Sequence, residues 1–509
     1  MRYAVSALEM AELERQTAED LGLQARIMME LAGSAVADAV QRRQREGGRV
    51  IVACGPGNNG GDGFVAARAL ANRGFGVEVY VFAERVRLKG DAKSAFAALE
   101  KLGGVPVRFV EDARALYDFS SAVRSATLVI DALLGTGAKG DLRGIIANAI
   151  DVMNESGVAI LAVDVPSGVD ADTGAVLSRA VQATSTVALG FAKRGHYLHP
   201  GAAHAGTVEV ADVGVPTAFA DKLGIVGRVI DRGDGPSLLR RRDGSAHKGT
   251  FGRVVAVAGA PHTPGAALLA LAGALRAGAG NVTWAADAES VHHAHGLAPE
   301  VMLRLRAGAA TDAWVASILE RANSLVIGPG LGEGPEATDL VAALLAASTV
   351  PVCLDADGLN IVAKSPALWE RIQAPLVLTP HPKEMARMVG VTVDDVQRDR
   401  VAMALQLSVA RQCTVVLKGA GTVIADSDGA VTILSAGNPG MAVGGSGDVL
   451  AGVVGALLAN GLAPAEAAQA GALLHACAGD VAAERHGQAG LRPSDIVEAM
   501  GEVLAQWKR

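Results

Sequence analysis

A rhythm of short apolar runs, each closed by a loop that carries Asp or Gly, constrains this chain more than any other feature. Arg49-Val50-Ile51-Val52-Ala53 is the first clear run. Val77 to Phe82, Thr127 to Ala132 and Ala159 to Asp164 follow it. Runs of this kind predict parallel strands buried on both faces, with helices between them. The expected fold class is α/β, beginning with a doubly wound sheet. In such sheets ligands sit beyond the carboxyl ends of the strands. Residues 6 to 45 combine helical periodicity with many charges and predict one or two amphipathic helices.

A second β/α series starts at Val254-Val255-Ala256-Val257. It continues through Leu325-Val326-Ile327, Val352-Cys353-Leu354, Leu376-Val377-Leu378 and Thr414-Val415-Val416-Leu417. A glycine-rich turn and a long apolar helix, Val449 to Ala459, come after it. The pattern weakens from 216 to 246, around Asp231-Arg232-Gly233-Asp234-Gly235-Pro236 and the cluster Arg240-Arg241-Arg242. A chain of 509 residues is too long for one core. The expected division is a domain over 1–215, a linker over 216–246 and a domain over 247–509. The arginine cluster reads as a solvated surface run.

Composition narrows the function classes. Half the residues are hydrophobic but only 3% are aromatic, so Ala and Val must fill the core, and 62 glycines suit close packing and tight turns. With a net charge of −7 and few stacking rings, nucleic-acid binding is not expected. Cys54, Cys353, Cys413 and Cys477 form no C-x-x-C pair and read as thiols in a reducing compartment. The N-terminus carries acids early and no long apolar run. The stretch Ala266 to Ala285 is broken by Arg276 and glycines, so neither a signal peptide nor a membrane span is expected. A cytoplasmic enzyme is the expectation.

Gly55-Pro56-Gly57-Asn58-Asn59-Gly60 matches G-x-G-x-x-G between a strand and a helix, and Glu84 ends the next strand. Alone, that would suggest a dinucleotide fingerprint and hydride transfer. The extension Asn58-Asn59-Gly60-Gly61-Asp62-Gly63 points elsewhere, because it puts two amides and a carboxylate into the loop. Backbone N–H groups there can hold phosphate, while the side chains orient sugar hydroxyls or ligate a cation. The helix is expected from Phe64. Asp131-Ala132-Leu133-Leu134-Gly135-Thr136-Gly137 and Asp164-Val165-Pro166-Ser167-Gly168 end two further strands at the same crevice. Oxygens from Asn59, Asp131 and Ser167 suit a hard cation, and a single acid favours a monovalent one. Asp164 is a candidate general base or acid.

On these motifs, residues 1 to 215 resemble the NAD(P)HX epimerase domain of the bifunctional NAD(P)H-hydrate repair enzymes. The resemblance implies a Rossmann-like fold, a bound potassium ion (K+) and epimerisation at C6 of the hydrated nicotinamide ring. It implies substrate contacts from Asn58, Asn59, Gly60, Gly61 and Asp62, from Gly135, Thr136, Gly137, Ala138, Lys139, Gly140 and Asp141, and from Asp164. It assigns potassium to Asn59, Asp131 and Ser167. Lys139-Gly140-Asp141 departs from the usual version of its loop.

In the C-terminal half, Gly444-Gly445-Ser446-Gly447-Asp448 precedes the long apolar helix. Small residues let backbone N–H groups close around phosphate at a helix N-terminus. An Asp beside that anion hole can take the proton of an attacking hydroxyl. Lys418-Gly419-Ala420-Gly421-Thr422 and Asn438-Pro439-Gly440-Met441 could lie along a nucleotide. Gly328-Pro329-Gly330-Leu331-Gly332 is a glycine elbow, and Asp355-Ala356-Asp357 and Thr379-Pro380-His381-Pro382-Lys383-Glu384 end two more strands. His381, between prolines, is read as a substrate contact in an extended segment. His292, His293 and His295 are read as a solvated helix, not a metal site.

Together with Pro264-Gly265-Ala266-Ala267, these motifs resemble, over 247 to 505, the ADP/ATP-dependent NAD(P)H-hydrate dehydratases, which have a ribokinase-like fold. The resemblance implies that ADP, with Mg2+, phosphorylates the hydrate hydroxyl and that phosphate is then eliminated, returning NAD(P)H and AMP. Ala266, Gly330, Gly332, His381 and Asp448 would contact the hydrate. Lys418, Gly419, Ala420, Gly421, Thr422 and Gly447 would hold the nucleotide. Lys383 stands where Gly is usual. The implied partners are NADHX or NADPHX and ADP, with a homo-oligomeric assembly. The rivals are a ribokinase-like small-molecule kinase with a nucleotide-binding regulatory domain, and a non-catalytic N-terminal binding module. The Asn-Asn-Gly-Gly-Asp-Gly segment and the intact Asp164 weigh against both.

Overall fold

A computed structural model describes residues 1–44, 47–240, 242–292, 296, 298–308 and 312–507. Two compact units emerge. One is Tyr3–Gly227. The other is Met1–Arg2 with Arg228–Arg509.

The first unit is built on a seven-stranded sheet. Arg49–Cys54 lies at its centre, between Gly76–Val81 and Leu128–Ala132. Val107–Phe109 extends one edge, and Ile160–Val163, Ser185–Leu189 and Thr207–Ala211 extend the other, all in parallel. Successive residues of the central strand pack on opposite faces. Val50, Val52 and Cys54 join a cluster with Val36 and Phe64 of the helices Ala25–Arg43 and Asn58–Asn72. Ile51 and Ala53 join Phe119 and Ile150 of the helices Ala113–Arg124 and Gly144–Glu155. Burial on both faces is why the strand reads as a continuous apolar run. The strand order reverses between Arg49–Cys54 and Leu128–Ala132, which opens the crevice where a doubly wound sheet binds ligands.

The glycine segment differs from its expected form. Only Gly55 to Gly57 is loop, and the helix starts at Asn58, not Phe64. Gly60, Gly61 and Gly63 are helical despite a propensity cost of about 1 kcal/mol each. The reason is space. A Cβ on Gly60 would sit 1.9 Å from the carbonyl oxygen of Gly55.

In the second unit, Met302–Arg306, Asn281–Asp287, Arg253–Val257, Ser324–Ile327, Val352–Leu354, Leu376–Leu378 and Thr414–Leu417 run parallel in that spatial order. The antiparallel strands Val423–Ala425 and Val431–Leu434 follow. One large cluster is assembled from the sheet and from the helices Pro264–Arg276, Ser446–Ala459, Pro464–His486 and Pro493–Trp507, mostly with Ala, Val and Leu. Within 216–246 the chain forms the helix Thr217–Lys222, the strand Gly227–Ile230 and the short helix Gly235–Leu238. His292 ends the short helix Ala288–His292, while His293, His295 and Arg241 lie outside the described residues. The four cysteines are free and buried. Among the described residues no helix is long and apolar enough to cross a membrane.

Gly60→Ala is therefore expected to destabilise the N-terminal unit by roughly 2 kcal/mol or more, although Ala is the better helix former. Thermal unfolding followed by circular dichroism checks the sign.

Candidate active sites in the two units

The first site gathers at the switch point. Asp131, at the end of Leu128–Ala132, is 0% exposed. Its Oδ1 accepts the Ser167 hydroxyl at 2.6 Å and its Oδ2 accepts the Ser167 N–H at 2.8 Å. The Leu133 N–H adds a weaker bond at 3.2 Å. Burial still outweighs these donors and pushes the carboxyl up to about 6. Ser167 Oγ accepts the Leu134 N–H at 2.8 Å, and Asn59 Nδ2 donates to the Leu134 carbonyl at 2.9 Å. The three oxygen-bearing side chains expected at a cation site thus converge on one backbone segment.

Asp164 follows the next strand with φ +64°, left-handed and strained for a residue with a Cβ. Besides its own N–H on the Val187 carbonyl at 2.8 Å, three bonds hold it. Its Oδ1 accepts the ammonium of Lys193 and the Leu189 N–H at 3.1 Å. Its carbonyl accepts His196 Nε2–H at 2.8 Å, since His196 Nδ1 is committed to accepting the Lys193 N–H at 3.1 Å. Burial, then the Lys193 charge, drives the imidazole down to about 4, so His196 is neutral. Asp62 is also buried, and burial first, then the Asp164 charge, holds its carboxyl well above the usual range. Lys193 and His196 have no motif to announce them. The one available signal is a basic pair, Lys193-Arg194, directly after an apolar strand.

The Gly135 to Asp141 loop is only partly drawn in. Gly135 lies against Asn59. Lys139 Nζ pairs with Asp170 at 3.0 Å, whereas the Asp141 side chain is exposed and 3.9 Å from Arg143. Thr136, Gly137, Ala138 and Gly140 span the turn between them, closed by Ala138 N–H on the Gly135 carbonyl at 3.2 Å.

In the second unit Asp448 occupies the first turn of Ser446–Ala459, capped by left-handed Gly445 (φ +99°). Burial, then the charge of Asp355, pushes its carboxyl up to about 7. Lys418, at the end of Thr414–Leu417, donates to Asp355 Oδ1 at 2.7 Å and stands 4.0 Å from Glu384. Gly447 lies directly against this pair, since a Cβ there would be 3.1 Å from Lys418 Nζ. Gly419 to Thr422 complete the hairpin into Val423–Ala425. Beneath it the buried Arg400 donates to the carbonyls of Leu417 and Lys418 at 2.9 and 3.1 Å.

His381 has a structural task beyond the expected substrate contact. It caps the helix Pro382–Val389, with Nδ1 accepting from Lys383 and Glu384 N–H at 3.1 and 3.2 Å. Burial lowers its basicity, while Nε2 stays on the half-exposed side, 3.5 Å from Glu384. Asp357 Oδ2 accepts the Gly332 N–H at 2.8 Å. Gly330 packs on Ala266, and its carbonyl accepts the Thr263 hydroxyl at 2.6 Å. Ala266, Gly330 and Gly332 therefore share one strand-end rim.

Asp448 can act as a base only when ionised, so kcat/KM for phosphoryl transfer is expected to fall as pH drops through about 7. Asp355→Asn removes a neighbouring negative charge and leaves Lys418 less compensated, with Glu384 as its remaining acidic neighbour. Both changes lower the Asp448 pKa and move the acid limb to lower pH. Steady-state rates from about pH 5 to about pH 9 check the direction.

Both halves of the chain resemble known proteins. A family model described as NAD(P)H-hydrate dehydratase matches residues 254–501, and one described as YjeF-related protein N-terminus matches 25–195. The bifunctional NAD(P)H-hydrate repair enzyme Nnr of Moorella thermoacetica is 40% identical over 99% of this chain and 96% of its own. That of Thermofilum pendens is 38% identical over 97% and 95%. A solved ADP/ATP-dependent NAD(P)H-hydrate dehydratase from Bacillus subtilis is 30% identical, covering 55% of this chain and 98% of its own with a TM-score of 0.49. At such identity along nearly the whole length, the chain belongs to the family of bifunctional NAD(P)H-hydrate repair enzymes.

Proposed function

We infer that the chain repairs hydrated nicotinamide dinucleotides with two activities: its N-terminal unit interconverts R- and S-NAD(P)HX, and its C-terminal unit dehydrates the S form with ADP as phosphoryl donor. The observation that carries the reading is the placement of Asp448 in a glycine-lined helix start beside Lys418, where burial pushes its carboxyl up to about 7.

Asp448 takes the proton of the hydrate hydroxyl. The hydroxyl oxygen attacks the terminal phosphorus of ADP, and the bond to AMP breaks. Lys418, the Lys418 to Thr422 hairpin and the backbone N–H groups around Gly447 meet the phosphate charge. The C–O bond of the phosphorylated intermediate then breaks, phosphate leaves with the electron pair, and loss of the neighbouring carbon's proton restores the dihydronicotinamide ring. Ala266, Gly330, Gly332 and His381 hold the hydrate. Mg2+ carried in with the nucleotide would meet Asp355 and Asp357 and offset phosphate charge; this fits its habit of binding through phosphates with one or two carboxylates.

In the N-terminal unit Asp164, held by Lys193, takes the proton of the C6 hydroxyl as the bond from C6 to the ring nitrogen breaks, the electron pair going to nitrogen and C6 becoming an aldehyde. The nitrogen re-closes on the aldehyde's other face and Asp164 returns the proton to the oxygen. Asn58, Asn59, Gly60, Gly61 and Asp62, with the Gly135 to Asp141 loop, bind the dinucleotide. A potassium ion suits Asn59, Asp131 and Ser167. Among the described residues no Lys or Arg pairs with the fully buried Asp131, and the donors are all oxygen with one formal charge. It would order the crevice and keep Asp131 ionised. The free, buried thiols suit a reducing cytoplasm.

Mixed R/S hydrate with ADP, followed by absorbance of the reduced nicotinamide, tests both halves. Wild type recovers both epimers. Asp448→Ala recovers neither, and full activity of that variant sinks the proposal. Asp164→Ala recovers S quickly and R at the spontaneous rate. In the same assay Asp131→Asn is expected to lose potassium-dependent epimerisation, by about tenfold or more, with S-hydrate dehydration intact.

A further inference from the structure

The helix Pro464–His486 carries none of the glycine motifs, yet two of its side chains reach into glycine-rich loops of the second site. Asp480 accepts the Gly437 N–H at 3.0 Å and Asn438 Nδ2–H at 2.9 Å. Asn438 Oδ1 in turn accepts the Gly440 N–H at 3.0 Å, so both ends of that amide are committed and tie the Asn438 to Met441 turn to the helix. Gly479, one residue before Asp480, leaves the space into which Met441 of the same turn packs. Farther back on the helix, buried His475 hydrogen-bonds Ser446 Oγ through Nε2 at 3.3 Å, two residues before Asp448. One rigid element therefore grips both loops.

We propose that Asp480 and His475 are positioning residues of the dehydratase, fixing the Asn438 turn and the Ser446 loop at one separation so that both meet the same nucleoside diphosphate. The proposal rests on the functional reading above. Asp480 acts through Asn438, and His475 through Ser446 on Asp448. Neither is expected to touch substrate.

The test uses the full-length enzyme with Asp480→Asn, Asn438→Ala and the double variant. Asp480→Asn loses a charged acceptor and presents an amide to an amide, so KM for ADP should rise about tenfold with kcat within about twofold. Asn438→Ala should match it, and the double variant should be no worse than either single. His475→Leu should lower kcat about tenfold, while His475→Gln, which can still bond Ser446, should restore most of it. Multiplying effects in the double variant, or a lowered melting temperature with KM for ADP unchanged, would overturn the proposal. Calorimetric ADP binding to the same variants keeps the two readings apart. If wild type binds ADP but leaves the hydrate unchanged, the functional reading fails while the coupling between Asp480 and Asn438 is still measured.

Discussion

A lysine packed against an aspartate at the carboxyl end of a parallel sheet is the interaction on which the geometry of each site depends. Lys193 holds Asp164 in the first unit, and Lys418 holds Asp355 in the second. Removing two charges from water is costly, and the cost is recovered only when geometry and further hydrogen bonds are good. The first pair meets that condition. Lys193 also donates to the Leu189 carbonyl at 2.8 Å. Asp355 is 1% exposed and lies at a strand end where its own backbone N–H donates to Ile327 at 3.0 Å. The parallel sheet makes this possible, because it delivers several strand ends to one crevice while both faces stay covered.

The pairs also divide the carboxylates into kinds. Asp164 and Asp355 each face an ammonium. Among the described residues Asp62, Asp131 and Asp448 form no ion pair, and burial raises all three. Each site thus sets one aspartate against a lysine, beside others whose carboxyls burial raises. Such differences in environment give chemically identical side chains different proton affinities.

Much of this is legible in the amino-acid sequence. The strand runs, the order of the glycine motifs and the convergence of Asn59, Asp131 and Ser167 follow from period, punctuation and position. The start of the helix Asn58–Asn72 does not, because glycine reads as loop by propensity while packing against Gly55 decides otherwise. Lys193 and His196 lie far along the chain from Asp164 and meet it only once the sheet has formed. His475 and Asp480 lie inside an alanine-rich helix whose pattern reports burial and nothing about the loops it grips. Distance along the chain, not weakness of the interaction, hides these residues.

The helical glycines carry a consequence for how such segments are compared between proteins. Gly60 is required by the carbonyl of Gly55, and Gly63 by Cys54 and Ala132, whether or not a dinucleotide ever binds. A descendant that lost catalysis but kept the fold would keep these glycines and could shed Asn58, Asn59 and Asp62. The glycines answer to packing, so their presence speaks for architecture, and a comparison that asks about chemistry has to look at the side chains of Asn58, Asn59 and Asp62 instead.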